Sequence, residues 1–155
     1  MASHSIFIDT CVLIESSTPN INGEERARQL RHIANAGHSL LTSITVVGEM
    51  VSVSLEKDTF DLSRGVEILR SLGIRILFPI PDIRRVCILV DAEMESLGRY
   101  GSSVTDRTHF AYALTSECDY YVTSQGETRT LAVPANLKVN TSVTTLDDLV
   151  SELMF

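Results

Sequence analysis

The sequence has no apolar run approaching the roughly 18 residues that cross a bilayer, and its start lacks the basic flank and long apolar core of a secretion signal. Both absences predict a cytoplasmic protein with no membrane role. Cysteine is sparse: Cys11, Cys87 and Cys118 are odd in number, widely spaced and free of any Cys-x-x-Cys pair. That argues against a disulfide framework and a thiolate zinc site, and predicts reduced, mostly buried thiols. Positive charge is also short. Against 20 acidic residues stand 13 basic ones, and the net charge of −7 repels a polyphosphate at long range. Contact with nucleic acid must therefore be local, through a rim such as Arg99, Arg107 and Arg129, with Arg84 and Arg85 further off. No repeat, low-complexity tract or Pro/Gly-rich linker divides the chain, so residues 1–155 are expected to form one domain with its own core.

What is present is an alternation of two hydrophobic periods. Strand patterns fall at Ser5 to Ile8, Ser39 to Leu41, Ile74 to Phe78, Tyr120 to Thr123 and Leu137 to Asn140. Helical patterns fill the gaps: Glu24 to Ala36, Ile44 to Glu56, Leu62 to Leu72, Ile83 to Leu97 and Asp106 to Ser116. Gly37, Gly73 and Gly98 mark three of the stops, and Thr145 with Asp148 approximates a capping box for a last helix through Leu153. Ser16 to Gly23, with Pro19, Asn20 and Asn22, reads as a connecting loop. This order predicts an α/β fold, a parallel sheet with helices on both faces.

Three acids stand out by position. Asp9 ends the first strand, where parallel sheets present their ligand crevice; Glu49 lies in the opening turns of the helix after the second strand; Asp106 opens the helix before the fourth. If those strands are neighbours, the three carboxylates converge. Ionised carboxylates within about 4–6 Å repel by several kcal/mol per pair at an effective dielectric near 20, so the group needs a cation or raised pKa values. With only oxygen ligands, Mg²⁺ or Mn²⁺ fits best, leaving coordination positions for a phosphate oxygen and an attacking water. Plainer roles compete: Asp106 suits a helix N-terminus by charge alone, and Glu49 is harmless if it faces outward. His109, three residues after Asp106, reads as a packed, hydrogen-bonded histidine before a ligand, Asp119 as a turn residue, and the four tyrosines as core before base-stacking groups.

Phe7-Ile8-Asp9-Thr10, the Glu49 helix, Asp106 with Ala113 seven residues on, and Cys118-Asp119-Tyr120-Tyr121-Val122-Thr123 together resemble the PIN domain, the fold of many toxin-type ribonucleases of prokaryotic toxin–antitoxin pairs. The resemblance runs from Ser5 to about Glu127. It implies a three-layer α/β/α domain with a central parallel sheet of four to five strands. It also implies Mg²⁺ or Mn²⁺ held by Asp9, Glu49 and Asp106, with polar support from Thr123; Thr10 and Gln125 are expected to add polar support, and Arg107 and Arg129 of the basic rim to contact RNA. The activity it implies is hydrolysis of RNA phosphodiester bonds; the partners are RNA, an antitoxin protein and a second copy of the chain. Two positions depart from the family pattern. Thr123-Ser124-Gln125 stands where Thr-x-Asp is usual, so Gln125 replaces a fourth acid, and Glu127 is expected to be an exposed surface residue rather than its substitute. Cys11 stands where asparagine is common. The missing acid keeps an alternative open: a module of this fold that binds RNA or protein without turnover.

Overall fold

The computed structural model describes residues 2–57 and 60–154. In chain order its elements are β1 (Ser5–Ile8), α1 (Thr10–Ser17), α2 (Ile21–Asn35), β2 (Ser39–Ser43), α3 (Ile44–Glu56), α4 (Leu62–Ser71), β3 (Arg75–Leu77), α5 (Ile83–Ser96), α6 (Val104–Thr115), β4 (Tyr120–Val122), α7 (Gln125–Thr128), β5 (Ser142–Thr144) and α8 (Leu146–Leu153). The five strands are all parallel, in the order β3-β2-β1-β4-β5. Parallel pairing with helical crossovers buries the central strand on both faces, which is why β1 runs Ile6-Phe7-Ile8 after its opening Ser5; these three are fully buried. Helix α1 packs on α2, α3 and α4, and α2 on α8, while α5 packs on α6. No helix among the described residues is long and apolar enough to cross a membrane.

The strand order matters for function. From β1 the chain winds outward through β2 and β3, then returns to lay β4 on the other edge of β1 and β5 beyond it. The direction reverses between β1 and β4, and in open α/β sheets that switch point leaves a crevice outside the carboxyl ends of the strands. Asp9 and Thr123 immediately follow these two strands.

Several expectations need correction. The stretch expected as a loop, Ser16 to Gly23, is mostly helical: α1 runs to Ser17 and α2 starts at Ile21, capped by Asn20, whose side chain accepts from the Gly23 backbone N–H at 2.7 Å. A Cβ on Gly23 would lie 2.0 Å from the Thr18 carbonyl oxygen, so this turn between two helices requires glycine. Helix α6 begins at Val104 rather than Asp106, because Ser103 supplies the cap. The last strand is Ser142–Thr144, not Leu137 to Asn140; hydrogen bonds from Ser142 N to Asp119 O and from Thr123 N to Thr144 O fix its register on β4. Of the three thiols only Cys118 is buried; Cys87 is intermediate and Cys11 exposed. The glycine stops hold, with Gly37, Gly73 and Gly98 at φ of 95°, 61° and 65°.

Candidate active site

Asp9 is buried at the head of α1, 2% exposed, with both carboxylate oxygens engaged. Oδ1 accepts from the Thr10 backbone N–H at 2.7 Å and Oδ2 from the Thr123 hydroxyl at 2.7 Å. One side chain thus caps a helix and ties the two strands of the switch point. Burial pushes its carboxyl above the usual range, and the charge of Asp106 adds to that push; the Thr123 hydroxyl, His109 and the Thr10 N–H act against it. Cys11 is exposed as a residue, yet its sulfur lies 3.8 Å from Asp9 Oδ2 and 3.7 Å from Thr123 Oγ1. Burial of the sulfur and the Asp9 charge push that thiol up to about 12, so it stays protonated and is no nucleophile.

Asp106 takes the plain role and a second one. It completes a capping box, its carboxylate accepting from Ser103 N at 3.1 Å while Ser103 Oγ accepts from Asp106 N at 3.1 Å. Its charge also reaches both Asp9 and Glu127. Glu127 is the finding the sequence reading missed. It sits half-buried in the first turn of α7, not on the open surface. Burial, with the charges of Asp106 and Asp9, pushes its carboxyl up to about 7. A signal for this was available: Ser124-Gln125-Gly126-Glu127 is a serine cap with glutamate three residues on, the pattern that opens a helix and turns the glutamate back toward the cap. Gln125, at the fourth-acid position, is exposed.

Glu49 faces another way. Its Oε1 lies 3.5 Å from Nε2 of fully buried His109, and His109 and the Thr10 hydroxyl draw the Glu49 carboxyl below its ordinary value. His109 Nδ1 meets the Thr45 hydroxyl at 2.8 Å, and that hydroxyl lies 2.7 Å from Ser43 Oγ. A carboxylate only accepts, so Nε2 donates toward Glu49; in the neutral ring Nδ1 then accepts from Thr45. His109 is the packed, hydrogen-bonded histidine expected, and it joins α1, α3 and α6. The acids therefore divide: Asp9, Asp106 and Glu127 share one negative field, with Glu49 held beside it by His109. Among the described residues no three His, Cys, Asp or Glu side chains stand together closely enough to hold a metal ion as placed. The donor chemistry nevertheless suits a hard cation: every candidate ligand is oxygen, and raised carboxyls mark a field short of positive charge.

Of the other expected residues, Thr10 and Thr123 are buried against the site, and Arg129 is exposed at the end of α7. Arg107 forms an ion pair with Asp91 of α5, its Nε 2.9 Å from Oδ1 but outside hydrogen-bond geometry. Asp119 is a turn residue as expected, accepting from Ser5 N at 2.8 Å at the opposite end of the sheet. Beneath Asp9, Tyr121 stacks on Phe7 at 5.2 Å and meets Phe110 edge-on at 5.1 Å, and burial with the nearby Asp9 charge pushes its hydroxyl well above the ordinary tyrosine value.

No family model matches the sequence, and no curated protein is detectably similar to it. Solved structures are similar in fold. VapBC2 from Rickettsia felis, bound to a DNA fragment from its promoter, superposes with a TM-score of 0.67 at 12% identity, over 90% of this chain and 96% of that one. VapBC-1 from nontypeable Haemophilus influenzae gives 0.63 at 11%, over 92% and 98%. VapC20 from Mycobacterium tuberculosis, described as a toxin that cleaves the sarcin–ricin loop, gives 0.52 at 16%, over 82% and 96%. At these identities the likeness establishes the fold: a PIN-like three-layer α/β/α domain.

Proposed function

We propose that this chain is a divalent-metal-dependent endoribonuclease, the toxin of a toxin–antitoxin pair. The observation that carries the reading is the buried Asp9, fixed across the β1/β4 switch point by Thr10 and Thr123 and facing Asp106 and Glu127. The neighbour described as cleaving the sarcin–ricin loop supports the choice of RNA as substrate. Asp9, Asp106 and Glu127, with Glu49 once turned from His109, are the residues that would hold Mg²⁺ or Mn²⁺. When bound, the ion would lower the pKa of a coordinated water and offset charge on the scissile phosphate.

The chain's own groups do the rest. The Thr10 N–H and Thr123 hydroxyl hold the Asp9 carboxylate in one orientation, while exposed Arg129, two residues past Glu127, is placed to meet RNA phosphates. With Glu127 the carboxylates number four, which favours turnover over a module that binds without it. An antitoxin that covers the acids and a second copy of the chain complete the proposed assembly, in the cytoplasm. The test is incubation of assorted RNAs with the purified protein, with Mn²⁺ or Mg²⁺ and then with chelator. Metal-dependent loss of full-length RNA is expected; unchanged RNA under all conditions overturns the reading.

Glu127 adds a pH signature. Its folded carboxyl titrates at about 7 against an ordinary 4.5, so between these values the folded state keeps a proton that the unfolded chain has released. Stability attributable to this group falls as pH rises through that window and is level on either side. Glu127→Gln should flatten the fall in melting temperature from pH 5 to pH 8, as should added Mg²⁺; a variant with the parent's slope would remove Glu127 from the cluster.

A further inference from the structure

A cavity of about 260 Å³ lies beside Asp9, lined in part by Cys11 of α1 and by Thr123, just past β4, whose side chains both touch Asp9. Whatever fills it sits next to Asp9. Its charge is informative. The one cation in the lining is Arg26, which spends its guanidinium on Asp147, with Nη2 to Oδ2 at 3.1 Å, and on Glu15, with Nε to Oε1 at 3.3 Å. Two carboxylates against one guanidinium leave the wall net negative, so a phosphate is repelled and a neutral ligand rich in N–H donors is favoured. Asp147 has both oxygens engaged, by Arg26 and Gln29. Glu15 is engaged through Oε1 alone among the described residues, and its side chain is half-exposed. Val12 and Leu146 supply an apolar surface, and Gln125 lines the cavity with an amide that can donate and accept.

We propose that this cavity is a nucleobase subsite that favours guanine, with Glu15 as the residue that reads it; the inference rests on the RNA-cleaving reading of the adjoining acids. Guanine presents two adjacent donors, N1–H and the N2 amino group, which a carboxylate can accept together. Uracil offers one N–H flanked by two carbonyl oxygens, which a carboxylate repels. The role of Gln125 changes accordingly: it takes no part in the acid field and instead borders the base.

The experiment uses NMR chemical-shift titration of the whole chain in chelator, with guanosine, adenosine, cytidine, uridine and inorganic phosphate added separately. Guanosine is expected to move the amide signals of Val12, Gln125 and Leu146 at the lowest concentration. Glu15→Gln keeps an acceptor for Arg26 but is expected to weaken guanosine binding about tenfold, the loss of one charge-assisted hydrogen bond. Uridine or phosphate moving these signals as strongly as guanosine, no response to any nucleoside, or an unchanged affinity in Glu15→Gln overturns the proposal. Because binding is read without metal, failure here is separable from failure of the nuclease. Cleavage without nucleoside binding removes the subsite alone, and nucleoside binding without cleavage removes the proposed activity.

Discussion

Asp9→Asn is expected to lower metal-dependent RNA cleavage at least about a hundredfold, which corresponds to about 2.7 kcal/mol of lost transition-state stabilisation. Its melting temperature should be equal to or above the parent's. The two halves have one cause. The amide oxygen can still accept from Thr10 N, so the head of α1 keeps its cap, and Thr123 can turn its hydroxyl to accept from the new NH₂. What disappears is a buried negative charge that the fold holds above its ordinary pKa, so at neutral pH its removal relieves the folded state. Cleavage of a defined RNA in Mn²⁺, beside a thermal melt of the same sample, reads both halves. A variant that cleaves within threefold of the parent would refute the role of Asp9, and a variant that is unfolded would refute the account of its hydrogen bonds.

His109→Ala should have the largest effect on stability, about 2–4 kcal/mol. The substitution empties a fully buried site and leaves the Thr10 and Thr45 hydroxyls without their ring partner, at 3.2 and 2.8 Å in the parent. For a domain of this size that is roughly 5–15 °C in melting temperature. A second consequence follows from its position between Glu49 and Thr10: cleavage should fall further than the loss of folded protein accounts for, because Glu49 loses the group that orients it. His109→Gln, which retains a donor, should recover part of the activity. If His109→Gln and His109→Ala cleave equally per folded molecule, the histidine only packs.

Much of the architecture could be read from the sequence, because buried parallel strands and glycine stops leave strong local patterns. Ile6-Phe7-Ile8 and Tyr120-Tyr121-Val122 are apolar on both faces, and that alone identified the strands carrying Asp9 and Thr123. The misses were of three physical kinds. Helix α1 is made of Thr10-Cys11-Val12-Leu13-Ile14-Glu15-Ser16-Ser17, with β-branched residues and serines that disfavour helix; packing on α2, α3 and α4 overrides that preference, and Ser16 and Ser17 return their hydroxyls to the Val12 and Leu13 carbonyls at 2.6 Å. The last strand is only Ser142–Thr144, too short to outweigh the alternation at Leu137 to Asn140. Glu127 was misplaced because exposure is the default for a glutamate: it enters the acid field from the first turn of α7, two residues past Gln125, which heads the same helix. The charge of Asp106 reaches Asp9, whereas the turn of Glu49 to His109 depends on a ring from α6 reaching α3, and spacing along one helix carries no trace of it.

The strand order also has a consequence during synthesis. Asp9 is made well before Thr123, the hydroxyl that completes its hydrogen bonding, which follows 114 positions later. At ordinary translation rates a ribosome takes roughly 6–23 s to add that stretch. A growing chain can lay β2 and β3 beside β1 within that interval, but one whole edge of β1 stays bare until β4 emerges. Nascent chains on polysomes thus carry Asp9 with an open flank, and the finished crevice exists only once β4 has emerged.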